Sequence, residues 1–217
     1  MNKKKIINNT EIFVKKKLLG EGSGHDWWHI KRVWDLAKSI AKDEKVDLFT
    51  VELGALLHDI ADWKFTDGDE SVGPNLAEEW LISQGVEKNT VRTVKEAIED
   101  ISFKGAGVTR KNRSKEGEVI QDADRLDAIG AMGIARCFAY GGHKNREIYN
   151  PEIKYVMHQT SEEYKNNSGP SVNHFYEKLF LLKDLMNTKT AKKIAVGRHK
   201  FMKEYLDEFF AEWEGKK

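Results

Sequence analysis

The 217-residue chain has one cysteine, Cys137, and only three prolines. A lone thiol excludes an internal disulfide framework, and so few prolines leave long helices uninterrupted. No stretch of about 18 consecutive apolar residues occurs, so no membrane-spanning helix is expected. The N-terminal basic runs Lys3–Lys5 and Lys15–Lys17 lack the apolar core of about 7–15 residues that a secretory signal needs, and the expected location is the cytoplasm. Charge of one sign is missing as well. The 36 basic and 35 acidic side chains leave a net +1, which supplies neither polyanion steering nor attraction to a membrane surface. A Gly-rich phosphate loop of the P-loop type is absent too.

Turn-bounded runs of β-branched residues, the mark of strands, are also missing, and apolar residues recur instead with the 3.6-residue period of helices. The chain therefore reads as all-α, and its length fits one domain over residues 1–217. From Asp26 to about Glu44, Ile30, Val33, Trp34, Ala37, Ile40 and Ala41 form one apolar stripe. A second helix, about 47–61, has apolar residues on more than one face, which predicts a central position. Pro74 opens a helix that Gly85 closes, and Asn89 caps another over 90–101. Between Phe103 and Gly117 the periodicity dissolves into a basic loop carrying Lys104, Arg110, Lys111, Arg113 and Lys115. A helix rich in Ala and Gly is expected from Glu118 to Tyr140, then a polar segment over 141–170. Two long helices follow, 171–187 capped by Ser171 and 190–214 capped by Thr190.

The stretch ELGALLHDIADWKF, residues 52–65, poses the functional question. It sets His58 and Asp59 into a run that otherwise reads as helix core, where each unsatisfied polar group costs about 1–3 kcal/mol. A metal ion is the simplest partner for both, and a buried His–carboxylate hydrogen bond is the alternative. The other His-Asp pair, His25-Asp26, has a plainer reading, with Asp26 as a helix cap. His29 lies one turn after His25. Asp122, Asp124 and Asp127 crowd one helix in VIQDADRLDAIGAMGIAR, where they repel one another and need a cation or basic partner. Arg125 can pair with one of them.

The order His29, His58-Asp59, Asp124 within DADRLDAIGA resembles the H…HD…D signature of HD-domain metal-dependent phosphohydrolases. The resemblance runs from GHDWWHIKRVWDLA to HFYEKLFLLKDLMNTKTA and beyond. It implies an all-α helical bundle in which His29, His58, Asp59 and Asp124 hold a divalent ion. Residues 25–136 then contribute the metal site and the helices of 171–214 complete the cleft. Phosphoester or phosphoanhydride bonds, notably of nucleotides, are the implied substrates. A mixed N/O ligand set suits Mn²⁺ best, with Fe²⁺, Co²⁺, Ni²⁺ or Zn²⁺ as alternatives and Mg²⁺ less favoured.

Asp62, three residues after Asp59, is the expected base. His174, Lys178 and Arg198 lead the expected phosphate contacts, ahead of Lys64, Arg32 and the 104–115 loop, with His25 and Asp127 as further substrate-binding residues. His143 and His158 read as surface residues, Trp27, Trp28, Trp34 and Trp63 as core or cleft wall, and Cys137 as inert. No GYP-type extension follows the metal motif. The favoured activity is release of pyrophosphate from a nucleoside triphosphate by a metal-activated water. The alternatives are a nucleoside monophosphatase, or a nucleic-acid-binding module working through its basic loop. No preference for monomer or homodimer follows from the sequence.

Overall fold

A computed structural model of the chain describes residues 2–18, 26–61, 69–101, 103 and 114–217, the side chains of residues 161 and 165 excepted. The described residues are helical without a strand, as the periodicity predicts: α1 (Lys3–Leu18), α2 (Trp27–Glu44), α3 (Leu48–Leu57), α4 (Val72–Ser83), α5 (Lys88–Glu99), α6 (Lys115–Asp127), α7 (Gly130–His143), α8 (Ser161–Lys165), a π-helical turn (Phe175–Leu179), α9 (Phe180–Leu182), a 3₁₀ turn (Lys183–Leu185) and α10 (Lys189–Trp213). They fall into two compact units, divided between Asp124 and Arg125.

In the first unit α3 is the central element, as its all-round apolar character predicts. Val51, Leu53, Leu56 and Leu57 are wholly buried, and α3 packs against α1, α2 and α5. Full burial of such side chains is worth about 1.5–3 kcal/mol each. Gly54 allows a further close approach, because a Cβ there would collide with the Ile120 side chain of α6. Polar ties fix the register. Trp34 donates its indole N–H to Glu52 at 2.9 Å, joining α2 to α3. Trp80 of α4 donates to Thr10 at 3.0 Å and stacks on Phe13. The α1 helix itself was not expected, since only basic runs stand out there, yet Ile6, Ile7, Thr10 and Val14 make a buried stripe of helical period.

Several boundaries differ from expectation. Helix α3 ends at Leu57 rather than Ala61, and Ile60 closes a tighter turn onto the Leu57 carbonyl at 3.1 Å. Asp59 thus stands just past the helix instead of inside it. Asn89 lies within α5, with Glu87 at the cap position. Val72 starts α4 two residues before Pro74, and Gly85 follows its end at φ +70. The helix expected over 118–140 is two helices, broken where Ile129 is extended (φ −127, ψ 164) and Gly130 adopts φ +76. That left-handed conformation suits glycine.

In the second unit α10 packs against α7. A Cβ on Gly130 would lie 3.0 Å from the Arg198 Cγ of α10. Arg198 also donates to the Leu126 carbonyl at 2.5 Å, so the arginine occupies the elbow between α6 and α7. The helix expected over 171–187 runs from Asn173 to Leu185, passing through a π-helical turn and α9 to a 3₁₀ turn, and it starts two residues after Ser171. Thr188, not Thr190, caps α10 by accepting from the Ala191 N–H at 3.2 Å.

Candidate metal centre

Three elements of the first unit bring four polar side chains to one point. The Asp26 carboxylate accepts the His29 backbone N–H at 2.9 Å, so the cap of α2 is made in the turn that carries His29. His58 follows Leu57 with backbone angles still helical, and its Nδ1 lies 2.8 Å from the Ala55 carbonyl. A carbonyl only accepts, so Nδ1 carries the proton and Nε2 presents a lone pair. A hydrogen bond of this kind at the far nitrogen is how metal-ligating imidazoles are oriented.

The Nε2 atoms of His29 and His58 stand 3.1 Å apart. Asp59 Oδ2 is 3.4 Å from His29 Nε2 and 3.9 Å from His58 Nε2. From α6, Asp124 Oδ1 is 3.5 Å from the first and 3.8 Å from the second. Both imidazoles are buried, while the carboxylates keep partial access to solvent. His29, His58 and Asp59 form a group in which every ligand atom lies within 4.8 Å of every other, and Asp124 joins it through the two histidines.

These separations discriminate between the two readings of a buried His–Asp pair. Nitrogen–oxygen distances of 3.4–3.9 Å exceed the usual hydrogen-bond range of about 2.7–3.2 Å. Two atoms each about 2.1 Å from one ion stand about 3.0 Å apart at right angles and about 3.4 Å apart at the tetrahedral angle. Two imidazole nitrogens and two carboxylates converge with no His–carboxylate hydrogen bond between them, a donor set that fits a divalent cation.

The acids of α6 separate in role. Asp124 turns to the histidines, Asp122 is fully buried, and Asp127 pairs with Arg136 of α7 at 3.0 Å. Arg125 donates to the Leu185 carbonyl. Burial pushes the Arg198 guanidinium below its ordinary value, against the opposing pull of Asp127. Arg32 lies half-buried on α2, one turn past His29. In the second unit His174 and Lys178 both meet the Tyr164 ring, His174 stacked at 6.4 Å and the Lys178 ammonium 5.7 Å above the centroid.

His25, Asp62, Trp63, Lys64 and the 104–113 stretch of the basic loop lie outside the described residues. Trp27 and Trp34 are core, but Trp28 is 58 % exposed and belongs to no core. His158, expected at the surface, is buried beside Glu177. Sequence reading missed Glu177 and Tyr164, because nothing in a polar helix pattern marks an acid for burial.

The HD domain family matches residues 27–129. The protein YpgQ of Bacillus subtilis is 39 % identical over 209 residues, 95 % of this chain and 93 % of the relative. Its crystal structure in complex with ADP superposes with a TM-score of 0.76 at 36 % identity, covering 96 % of this chain and 95 % of that one. A Lactobacillus plantarum structure gives a TM-score of 0.87 at 40 % identity over 96 % of this chain and 97 % of the other. An HD-superfamily hydrolase from Bacillus thuringiensis gives 0.75 at 42 % identity over 98 % and 99 %.

Proposed function

Because the chain belongs to the HD-domain family of metal-dependent phosphohydrolases, we propose that it acts on nucleoside triphosphates, releasing pyrophosphate and leaving the monophosphate. The observation that carries this reading is the convergence of His29, His58, Asp59 and Asp124 at spacings suited to one cation. The ADP bound to YpgQ supports a nucleotide as substrate. We assign Mn²⁺ to the site, since two imidazoles with two carboxylates match its ligand preferences. When bound, the ion supplies Lewis-acid polarisation of a phosphoryl oxygen and acidifies a water.

The protein's own groups do the rest. With two imidazoles and two carboxylates as ligands, the carboxylates would balance the charge of a divalent ion. Asp62, three residues beyond Asp59 in the sequence, is our choice for the base that takes a proton from water. His174 and Lys178 bind phosphate oxygens, with Arg32, Lys64, His25 and Arg198 as further contacts to the substrate. Phosphoryl transfer depends chiefly on such positioning and charge stabilisation. Asp127, paired with Arg136, serves the site by steadying the end of α6.

The test is incubation of metal-stripped protein with ribo- and deoxyribonucleoside mono- and triphosphates, with and without Mn²⁺, resolving pyrophosphate from orthophosphate. Mn²⁺-dependent pyrophosphate from triphosphates is expected. Orthophosphate from monophosphates alone would replace this reading with a nucleotidase, and salt-sensitive nucleic-acid binding without turnover would replace it with a binding module.

A further inference from the structure

The near-balance of charge over the whole chain hides one helix where it fails. Between Asp184 and Glu204 the sequence has no acidic residue, and α10 opens inside that interval with Lys189, Lys192, Lys193, Arg198, Lys200 and Lys203. At 3.6 residues per turn the five lysines share one stripe about 100° wide, and all five are exposed. Arg198 leaves the helix on the opposite side, where it meets Gly130 and the Leu126 carbonyl. The stripe is therefore separate from the surface that Arg198 uses.

Two further observations mark this face. Val196 lies in the middle of the stripe and is 60 % exposed, and Phe201, which borders it, is 48 % exposed. Lysines around an exposed apolar side chain form the pattern of a helix lying in a bilayer interface, with ammonium groups at the level of the phosphates and the apolar tip below them. The lysines also act as a positive field on their neighbours: burial first, then Lys203 and Lys183, hold the His199 imidazole below its ordinary value, against Asp184. Lys200 meets Glu204 at 3.5 Å, an exposed pair that an external anion can replace. The charge calls for a phosphate-bearing partner. The stripe has no arginine and no amide side chain to read a base edge, and it is the outer surface of one helix rather than a groove that tracks a strand. A bilayer surface needs neither, and it accepts Val196.

We propose that the outer face of α10 from Lys189 to Lys203, about 21 Å long, docks the protein on an anionic phospholipid bilayer, with the lysines at the phosphate level and Val196 entering the interface. The contact is peripheral, since no described helix is long and apolar enough to cross a membrane. It involves neither the metal nor the substrate, so it stands or falls apart from the phosphohydrolase reading.

The experiment sediments the full-length protein with vesicles of mixed phosphatidylglycerol and phosphatidylcholine, and with vesicles of phosphatidylcholine alone. In low salt wild type binds the anionic vesicles and not the zwitterionic ones, and about 1 M salt releases it, because the screening length then falls to about 3 Å. Each lysine near such a surface is worth about fivefold in affinity, so Lys192→Gln/Lys193→Gln weakens binding about twentyfold. Val196→Ser changes no charge and weakens it severalfold through lost apolar burial. Lys42→Gln/Lys88→Gln removes the same charge from exposed positions of the first unit and binds as wild type does. Circular dichroism and thermal unfolding report that each variant is folded. Absence of wild-type binding to anionic vesicles, full binding by Lys192→Gln/Lys193→Gln or by Val196→Ser, or equal weakening by the first-unit control overturns the proposal. Binding of duplex DNA that the α10 lysine variant loses, with no protein sedimenting on vesicles, also overturns it and gives the face to nucleic acid.

Discussion

Of the side chains near the candidate centre, His58 does the most with one hydrogen atom. By donating its Nδ1 proton to the Ala55 carbonyl it turns Nε2 toward His29, Asp59 and Asp124. Cys137 shows the opposite case, a nucleophile held inert. Burial pushes its thiol up to about 12, although Arg146 and Lys178 pull it down, and its Sγ–H points to the Ser171 carbonyl. Native protein at pH 8 should therefore react with a thiol reagent at least about a hundredfold more slowly than the urea-unfolded chain, since only the thiolate is nucleophilic. Equal rates would contradict the burial.

Asp47 gives a second test at this scale. Burial raises its carboxyl, but donations from the Thr50 hydroxyl and backbone, with Lys3 nearby, outweigh that and hold it below the ordinary carboxylate value. A depressed folded value means that its contribution is present above the unfolded value and is lost as the pH falls through the folded one. Asp47→Ala should cost about 0.5–1 kcal/mol at pH 7, the lower end because the side chain is half exposed. In urea denaturation the difference from wild type should shrink below about pH 4.

At the scale of elements, the position of the centre depends on how closely α3 approaches α6. Gly54 has no room for a Cβ against Ile120. Gly54→Val should push the two helices apart and separate His58 and Asp59 from Asp124. The expected cost is about 1–3 kcal/mol of stability together with at least a tenfold loss of Mn²⁺ affinity; a stability loss with unchanged affinity would show that the helix spacing does not set the site.

Helices with strong periodicity were legible in the sequence, α2 and α3 above all, and so was the Asp26 cap. A metal partner for His58 and Asp59 was foreseeable from the cost of burying polar groups, while His29 as a ligand, and Asp124 among the three acids of α6, followed from family resemblance. What periodicity could not reveal was local conformation: the left-handed Gly130 that splits α6 from α7, the early end of α3, and the π-turn at 175–179 keep an apolar pattern that a continuous helix would also have. Glu177 escaped for a related reason. Its partners Asn167 and Val156 are distant in sequence, and an isolated acid in a polar stretch is most often solvated.

For the whole molecule, the candidate metal centre is the chief chemical feature among the described residues. Buried donors that converge without a covalent link repel one another until a cation joins them, so ion binding and folding stability are coupled. The measurement that bears most directly on this account is a calorimetric titration of Mn²⁺ into metal-stripped wild type, His58→Ala and Asp124→Ala. One saturable site in wild type, absent from His58→Ala and weakened at least about tenfold in Asp124→Ala, is the predicted result. Full-strength binding in His58→Ala would contradict it, because the ion would then be held somewhere other than between these four side chains.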